Sequence, residues 1–187
     1  MLDPIDRPEE HEDEIGAAVL LPLVVGSDGL TLLFIRRAST LSRDAGHLAF
    51  PGGVREPDEA LVATALRETD EEIGLRRPEV DVLGALTVAH RAVDTARVAA
   101  FVGVVHGPLD LAVNAAEVEA VLEVPLGPLF AGEVAWEEIW GREGIERPVH
   151  FFAEEELFGD DLLWGLSARF LWDFLSRLGT ITRDAEG

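Results

Sequence analysis

The sequence predicts an α+β or α/β sandwich, its strands broken by one helix from mid-chain and closed by one from the C-terminal end. Three observations carry this prediction. Short apolar runs bounded by Gly, Pro and Asp recur along the chain, as strands do. Asp58 to Ile73 is a stretch of helix-forming residues ahead of a glycine. Leu166 to Leu178 repeats large apolar residues at helical spacing.

In chain order, residues 1–13 read as a loose acidic lead-in and residues 180–187 as a short tail, leaving 14–179 as a single domain. Ala17 to Val25 and Leu30 to Arg36 are apolar runs around Ser27-Asp28-Gly29, which predicts a hairpin. His47 to Phe50 predicts a short strand that runs into a turn at Pro51-Gly52-Gly53. Asp58 is placed to cap the following helix and Gly74 to terminate it. Further strands are expected at 80–88, 97–106, 134–140 and 147–152. Val118 to Val124, ahead of Pro125, fits either strand or helix. The closing helix should present Leu166, Phe170, Phe174 and Leu178 on one face. No internal repeat or low-complexity linker interrupts this order.

Composition narrows the chemistry. At 187 residues and 48% hydrophobic, the chain is long enough to bury a core. Charges break every apolar stretch before membrane-spanning length, and Met1 to Glu14 is opposite in character to a secretory signal, so a cytoplasmic protein is expected. There is no cysteine, which excludes disulfides, thiolate zinc sites and cysteine nucleophiles. All 15 basic residues are arginines, which excludes lysine-centred phosphate loops and Schiff bases. The net charge of −21 argues against nonspecific nucleic-acid binding, since that needs a basic surface. A small phosphorylated substrate is still allowed if a metal or a few arginines make the site locally positive.

The chemistry concentrates in Gly53 to Leu75. On a helix, Glu68, Glu71 and Glu72 fall at i, i+3 and i+4, on one face. Three like charges so close repel one another, and a bound divalent cation turns that liability into a site, because hard cations take carboxylate oxygens. A bare ExxEE is more often a solvated acidic face. Its context decides otherwise here.

Gly53, Glu59, Arg67, Glu68, Glu71, Glu72, Gly74 and Leu75 fit the pattern G-x5-E-x7-R-E-U-x-E-E-x-G-U, where U is bulky and apolar. The chain thereby resembles the Nudix hydrolase superfamily, departing only at Thr69, which stands at the first U. The resemblance implies an α/β/α sandwich and hydrolysis of a phosphoanhydride in a nucleoside diphosphate derivative, dependent on Mg2+ or Mn2+. It implies Glu68, Glu72 and Glu71 as metal ligands, with the carbonyl at Gly53 close by, and Arg67 holding the glutamates. Glu59 and Arg67, two helical turns apart, are spaced to pair. A glycine pair at 52 and 53 lets the backbone bend. Glu117 lies where related enzymes supply one more carboxylate, so the catalytic set comprises Glu68, Glu71, Glu72, Arg67 and Glu117.

Upstream, Leu33, Arg37, Ala38, Gly46 and Phe50 to Gly53 resemble the extra motif of the coenzyme A pyrophosphatase group, L-L-T-x-R-[SA]-x3-R-x3-G-x3-F-P-G-G. Phe34, Ile35 and Ser42 depart from it, and Ser42 stands where the motif has its second arginine. Val98 to Gly103, Asn114 to Val118 and Leu163 to Arg169 resemble later segments of the same group. This resemblance implies cleavage of coenzyme A or an acyl derivative to 3′,5′-ADP and 4′-phosphopantetheine. The alternative is a Nudix pyrophosphatase for ADP-ribose, dinucleotides or nucleoside triphosphates, and third a noncatalytic domain that senses a nucleotide. With no lysine, phosphate contacts fall to arginines: Arg37, Arg43 and Arg36 first, with Arg91 and Arg97 in reserve. His47, His90, His106 and His150 show no ligand spacing. The sequence leaves open whether the chain pairs as a homodimer.

Overall fold

The first apolar run becomes the centre of the main sheet in the computed structural model of the protein, which describes residues 14–27, 29–90, 96–130, 134–142 and 145–179. Strand β1 (Ile15–Gly26) turns back into β2 (Gly29–Arg37), with Gly26 across from Gly29 and Leu23 across from Leu32. Asp28 of the expected turn lies outside the described residues, as do the lead-in 1–13 and the tail 180–187. Below Leu23, β1 leaves β2 and pairs antiparallel with β4 (Gly52–Val54). Its other edge runs parallel to β6 (Arg97–His106), which in turn pairs antiparallel with β5 (Val80–His90). Strand β2 pairs with β3 (Leu48–Ala49) on one side and β7 (Val118–Pro125) on the other. The result is a seven-stranded mixed sheet.

Alternation along these strands sorts the core into two layers. Leu20, Leu33 and Ile35 pack with Leu61, Ala65, Leu66 and Ile73 of helix α1 (Leu61–Ile73). Leu21, Leu32 and Phe34 point the other way, towards the second layer. The short helices α2 (Leu126–Phe130) and α3 (Glu155–Phe158) contribute Leu126, Leu129 and Phe158 to it, and helix α4 (Gly165–Arg177) contributes Phe170, Leu171 and Phe174. With both faces covered, central strands read as nearly continuous apolar runs, which is how β1 and β2 appear in the sequence. This is the α+β form of the sandwich that the sequence predicts. A second, three-stranded antiparallel sheet holds β8 (Ala135–Arg142), β9 (Ile145–Phe152) and β10 (Leu163–Trp164), and α4 packs on β9. Among the described residues, no helix is long and apolar enough to cross a membrane.

Three local expectations need correction, and one left open is resolved. Asp58 does not cap α1: it sits in a turn at φ 63°, and the helix begins at Leu61 after Ala60, without a side-chain cap. Strand β3 shrinks to two residues, because His47 donates its N–H into a loop, to Asp44 O, and Phe50 leads into Pro51. Val118 to Val124 is a strand, since it pairs along β2. On α4, Phe170 and Phe174 are buried, but Leu166 is only partly so and Leu178 is exposed beyond the last turn; Ala168, Leu171 and Leu175 complete the buried face. Gly74 does terminate α1, at φ 72°, with its N–H donated to Asp70 O at 2.8 Å.

Candidate active site

The site is built where α1 crosses the β4 end of the sheet. Glu72, on the inner side of the helix, is only 2% exposed. Its Oε2 accepts the Gly52 N–H at 2.9 Å. Gly52 has φ 149°, and a Cβ there would stand 2.4 Å from the Ala18 carbonyl oxygen, so the chain needs glycine to pass β1 this closely. A Cβ on Gly53 would lie 2.3 Å from the Glu68 carboxyl carbon. The glycine pair thus seats two carboxylates, one on its N–H and one in the space a side chain would fill.

Arg67 organises the outer edge. Its Nε and Nη2 donate to the two oxygens of Glu59 at 2.9 and 3.1 Å, a bidentate pair. Its Nη1 donates to Glu68 at 3.0 Å and to Glu71 at 3.1 Å, and Nη2 also reaches Val54 O at 3.0 Å. Glu59 lies just before α1 rather than on it, yet the expected pair with Arg67 forms. Thr64 Oγ1 and the Glu56 N–H also donate to Glu59, at 2.8 and 3.2 Å. Thr64 is a support that the sequence reading missed, and a buried threonine inside an apolar helix face gives no signal of it. Thr69, the departure from the motif, is fully buried and donates its hydroxyl to Ala65 O at 2.7 Å, so the threonine is accommodated.

The remaining residues divide. Arg37, at the end of β2, brings Nη1 to 3.9 Å from Glu72 Oε1, and its buried Nε has no hydrogen-bond partner among the described residues. Glu117, at the entry to β7, is held by the loop before it. Asn114 donates its N–H to Glu72 O at 2.9 Å, and the Glu117 N–H returns to Asn114 O at 3.0 Å. Arg36 faces away, donating Nε to Asp161 at 3.0 Å, and does not join the carboxylates. Arg43 is exposed in the loop between β2 and β3. Arg97 pairs with Glu14 at 3.5 Å, and Arg91 lies outside the described residues.

Burial and like charge act together on the carboxylates. Burial pushes the Glu72 carboxyl up to about 7, with the charges of Glu68 and Glu117 raising it further against the Gly52 hydrogen bond and Arg37. Burial also raises Glu68, again with a contribution from Glu117, so all three groups share one electrostatic site. At the rim the sign reverses. The Arg67 hydrogen bonds hold Glu59 at about 2, and Arg67 itself is raised by the same partners.

These groups are all hard oxygen donors, the set that suits a hard divalent cation. Among the described residues, no three or more His, Asp or Glu side chains form a ready-made metal cage. Glu68 and Glu71 lean on Arg67, and Glu72 leans on Gly52. A cation that draws its remaining ligands from water and phosphate needs only one or two carboxylates in place, and the Glu68 cradle at Gly53 and buried Glu72 could provide them.

Comparison with known proteins shows the family. The family model described as NUDIX domain matches residues 14–139. An uncharacterized Nudix hydrolase NudL of Photorhabdus laumondii is 37% identical over 156 residues, covering 83% of this chain and 80% of that protein. A NudL of Yersinia pestis is 35% identical, covering 83% of this chain and 75% of that protein. Two solved structures share the fold. A MutT/nudix family protein from Enterococcus faecalis has a TM-score of 0.56 at 18% identity, over 93% of this chain and 65% of that one. A C. elegans Ap4A hydrolase binary complex has a TM-score of 0.53 at 17% identity, over 62% and 83%. The chain belongs to the Nudix hydrolase family and is an enzyme of the pyrophosphohydrolase kind.

Proposed function

We propose that the enzyme hydrolyses the diphosphate of coenzyme A or an acyl derivative, giving 3′,5′-ADP and 4′-phosphopantetheine, with Mg2+ or Mn2+ as cofactor. The observation that carries this reading is Arg37 beside Glu72: a guanidinium whose Nη1 lies 3.9 Å from the buried carboxylate and whose buried Nε has no hydrogen-bond partner among the described residues. An arginine there would hold a phosphate oxygen, and Glu68 and Glu72, with Glu117 acting on them electrostatically, would hold a cation for the same substrate. Glu71, tied to Arg67 and 57% exposed, takes an outer place in that set. When bound, the metal polarises the phosphoryl oxygens and lowers the pKa of the attacking water. Gly52 fixes the direction of Glu72, Arg67 fixes Glu68 and Glu71, and one carboxylate of the set accepts the proton from that water. The Arg37 motif residues upstream of the glycine pair support coenzyme A as the substrate.

ADP-ribose is the second reading, favoured by Ser42, which is exposed and uncharged where the coenzyme A motif has an arginine for an additional phosphate. Comparing kcat/KM for coenzyme A, dephospho-coenzyme A and ADP-ribose decides between them. The proposal expects coenzyme A to lead, by a narrow margin over its dephospho form because Ser42 offers no charge. It also expects Arg37→Ala to reduce kcat/KM for coenzyme A by about 10- to 100-fold, as loss of a charged hydrogen bond in a shielded site does. A clear lead for ADP-ribose moves the substrate and leaves the diphosphate chemistry in place.

A further inference from the structure

The small sheet turns an aromatic face to solvent. Alternation puts Trp136, Glu138 and Trp140 on one side of β8, and the register places Phe151 across from both Trp136 and Trp164. Trp136 stacks on Phe151 with ring centroids 5.2 Å apart and planes 11° from parallel. Trp140 leans on Phe151 at 5.7 Å and on Trp164 at 6.2 Å. Phe151 is buried beneath them, whereas Trp136, Trp140 and Trp164 stay 41%, 47% and 38% exposed. Three of the four tryptophans in the chain therefore lie on one open face instead of serving the core.

Glu138 stands between two of them. Its Oε1 accepts the Trp136 indole N–H at 3.1 Å and its Oε2 the Trp140 indole N–H at 2.9 Å. These bonds, that of Trp140 foremost, hold the Glu138 carboxyl below its usual range, so it is ionised. The rings are fixed before anything binds, which lowers the ordering cost of binding. The carboxylate keeps acceptor capacity for a donor on whatever lies across the rings.

Two occupants fit the charge poorly. A second copy would oppose Glu138 to Glu138 on chains of net charge −21, and an anionic lipid surface would meet the same repulsion. A flat, uncharged ring that bears an amino group fits both features. A chain of contacts also links the face to the carboxylate site. His47 packs edge-on to Trp164 at 5.6 Å, its carbonyl accepts the Arg37 N–H at 3.0 Å, and Arg37 reaches Glu72.

We propose that Trp136, Trp140 and Trp164, with Glu138, form the subsite for the amino-bearing nucleobase of the substrate. As a substrate subsite it rests on the diphosphate-hydrolysis reading, and as a base-binding surface it is tested without turnover. Titrating the metal-free enzyme with AMP should quench tryptophan fluorescence, and inosine monophosphate, which lacks the exocyclic amine, should bind more weakly. Trp140→Ala should weaken AMP binding about tenfold or more, as loss of one base-stacking ring does. Trp140→Phe, which keeps a ring, should recover most of it. Leu83→Ala, exposed on β5, is the control and should change nothing. With metal and substrate, the loss in Trp140→Ala should fall mainly on KM. Equal AMP affinity in wild type and Trp140→Ala, or no AMP binding at all, overturns the subsite while leaving hydrolysis by the wild type untouched. So does a dimer in sedimentation that Trp140→Ala dissolves. Trp140-dependent AMP binding by an enzyme that cleaves no nucleoside diphosphate derivative keeps the subsite and sinks the hydrolysis reading instead.

Discussion

Glu72 is buried, ionisable and short of compensating charge, a combination that costs stability unless it serves a ligand. Its carboxyl titrates near 7 in the metal-free fold against 4.5 when unfolded, so the folded state binds the extra proton between those values. Metal-free stability therefore falls as pH rises through that window. Glu72→Gln keeps an acceptor for the Gly52 N–H and removes the charge. At pH 8 without metal it should be as stable as wild type or more so, by up to about 3 kcal/mol, while turnover drops by roughly three orders of magnitude. Denaturant melts and single-turnover rates check the two halves separately. Gly53→Ala is a complementary case, because the new methyl meets the Glu68 carboxyl at 2.3 Å. It should reduce activity roughly 10- to 100-fold, as disturbing the support of the proposed ligand Glu68 would. Activity close to wild type in this variant contradicts the role given to Glu68.

At the scale of the helix, α1 is held in register by its outer edge as well as by its apolar face. Arg67 and Glu59 tie the helix to the residues before it, and Arg67 ties Val54 of β4 to Glu68. Glu59 titrates near 2 in the fold, below its unfolded 4.5, so its contribution is fully present above pH 4.5 and is lost as pH falls towards 2. Glu59→Gln should lower stability at pH 7 by about 1–2 kcal/mol, discounted because the pair is partly solvated, and the deficit should close on acidification through that window. Urea titrations at pH 7 and pH 3 measure it, and an equal deficit at both pH values contradicts the assignment. This edge was half legible in the sequence. The spacing from Glu59 to Arg67 announced the pair, but a continuous helix was the wrong reason for it. Asp58, a good cap in isolation, adopts a left-handed turn so that Glu59 can fold back. Such a turn depends on where β4 delivers the chain, which local sequence does not encode.

Across the whole molecule, what the sequence declared was what repeats along one segment. β1 and β2 showed as apolar runs because both of their faces are covered, and α1 showed because its carboxylates and its core residues share one helical period. Pairings between distant segments stayed hidden. Arg36 and Arg37 are adjacent, and only the sheet decides that Arg37 meets Glu72 while Arg36 meets Asp161. The aromatic face draws on three strands, and no single window of sequence holds it. Charge at this scale gives another expectation. A chain of net charge −21 with a carboxylate cluster should be stabilised by the ion it binds, so Mg2+ or Mn2+ should raise its melting temperature by several degrees. Glu68→Gln/Glu72→Gln should lose most of that rise, and an equal rise in this double variant places the ion elsewhere.

The most direct measurement of the central claim is product release from a panel of coenzyme A, ADP-ribose and dinucleoside polyphosphates, for wild type and Glu72→Gln, in Mg2+ and after exhaustive chelation. The account predicts cleavage at a diphosphate by wild type in Mg2+, none after chelation, recovery when the ion is returned, and a rate in Glu72→Gln lower by roughly three orders of magnitude. Full activity that survives chelation, or a Glu72→Gln enzyme that turns over like wild type at saturating metal, contradicts it.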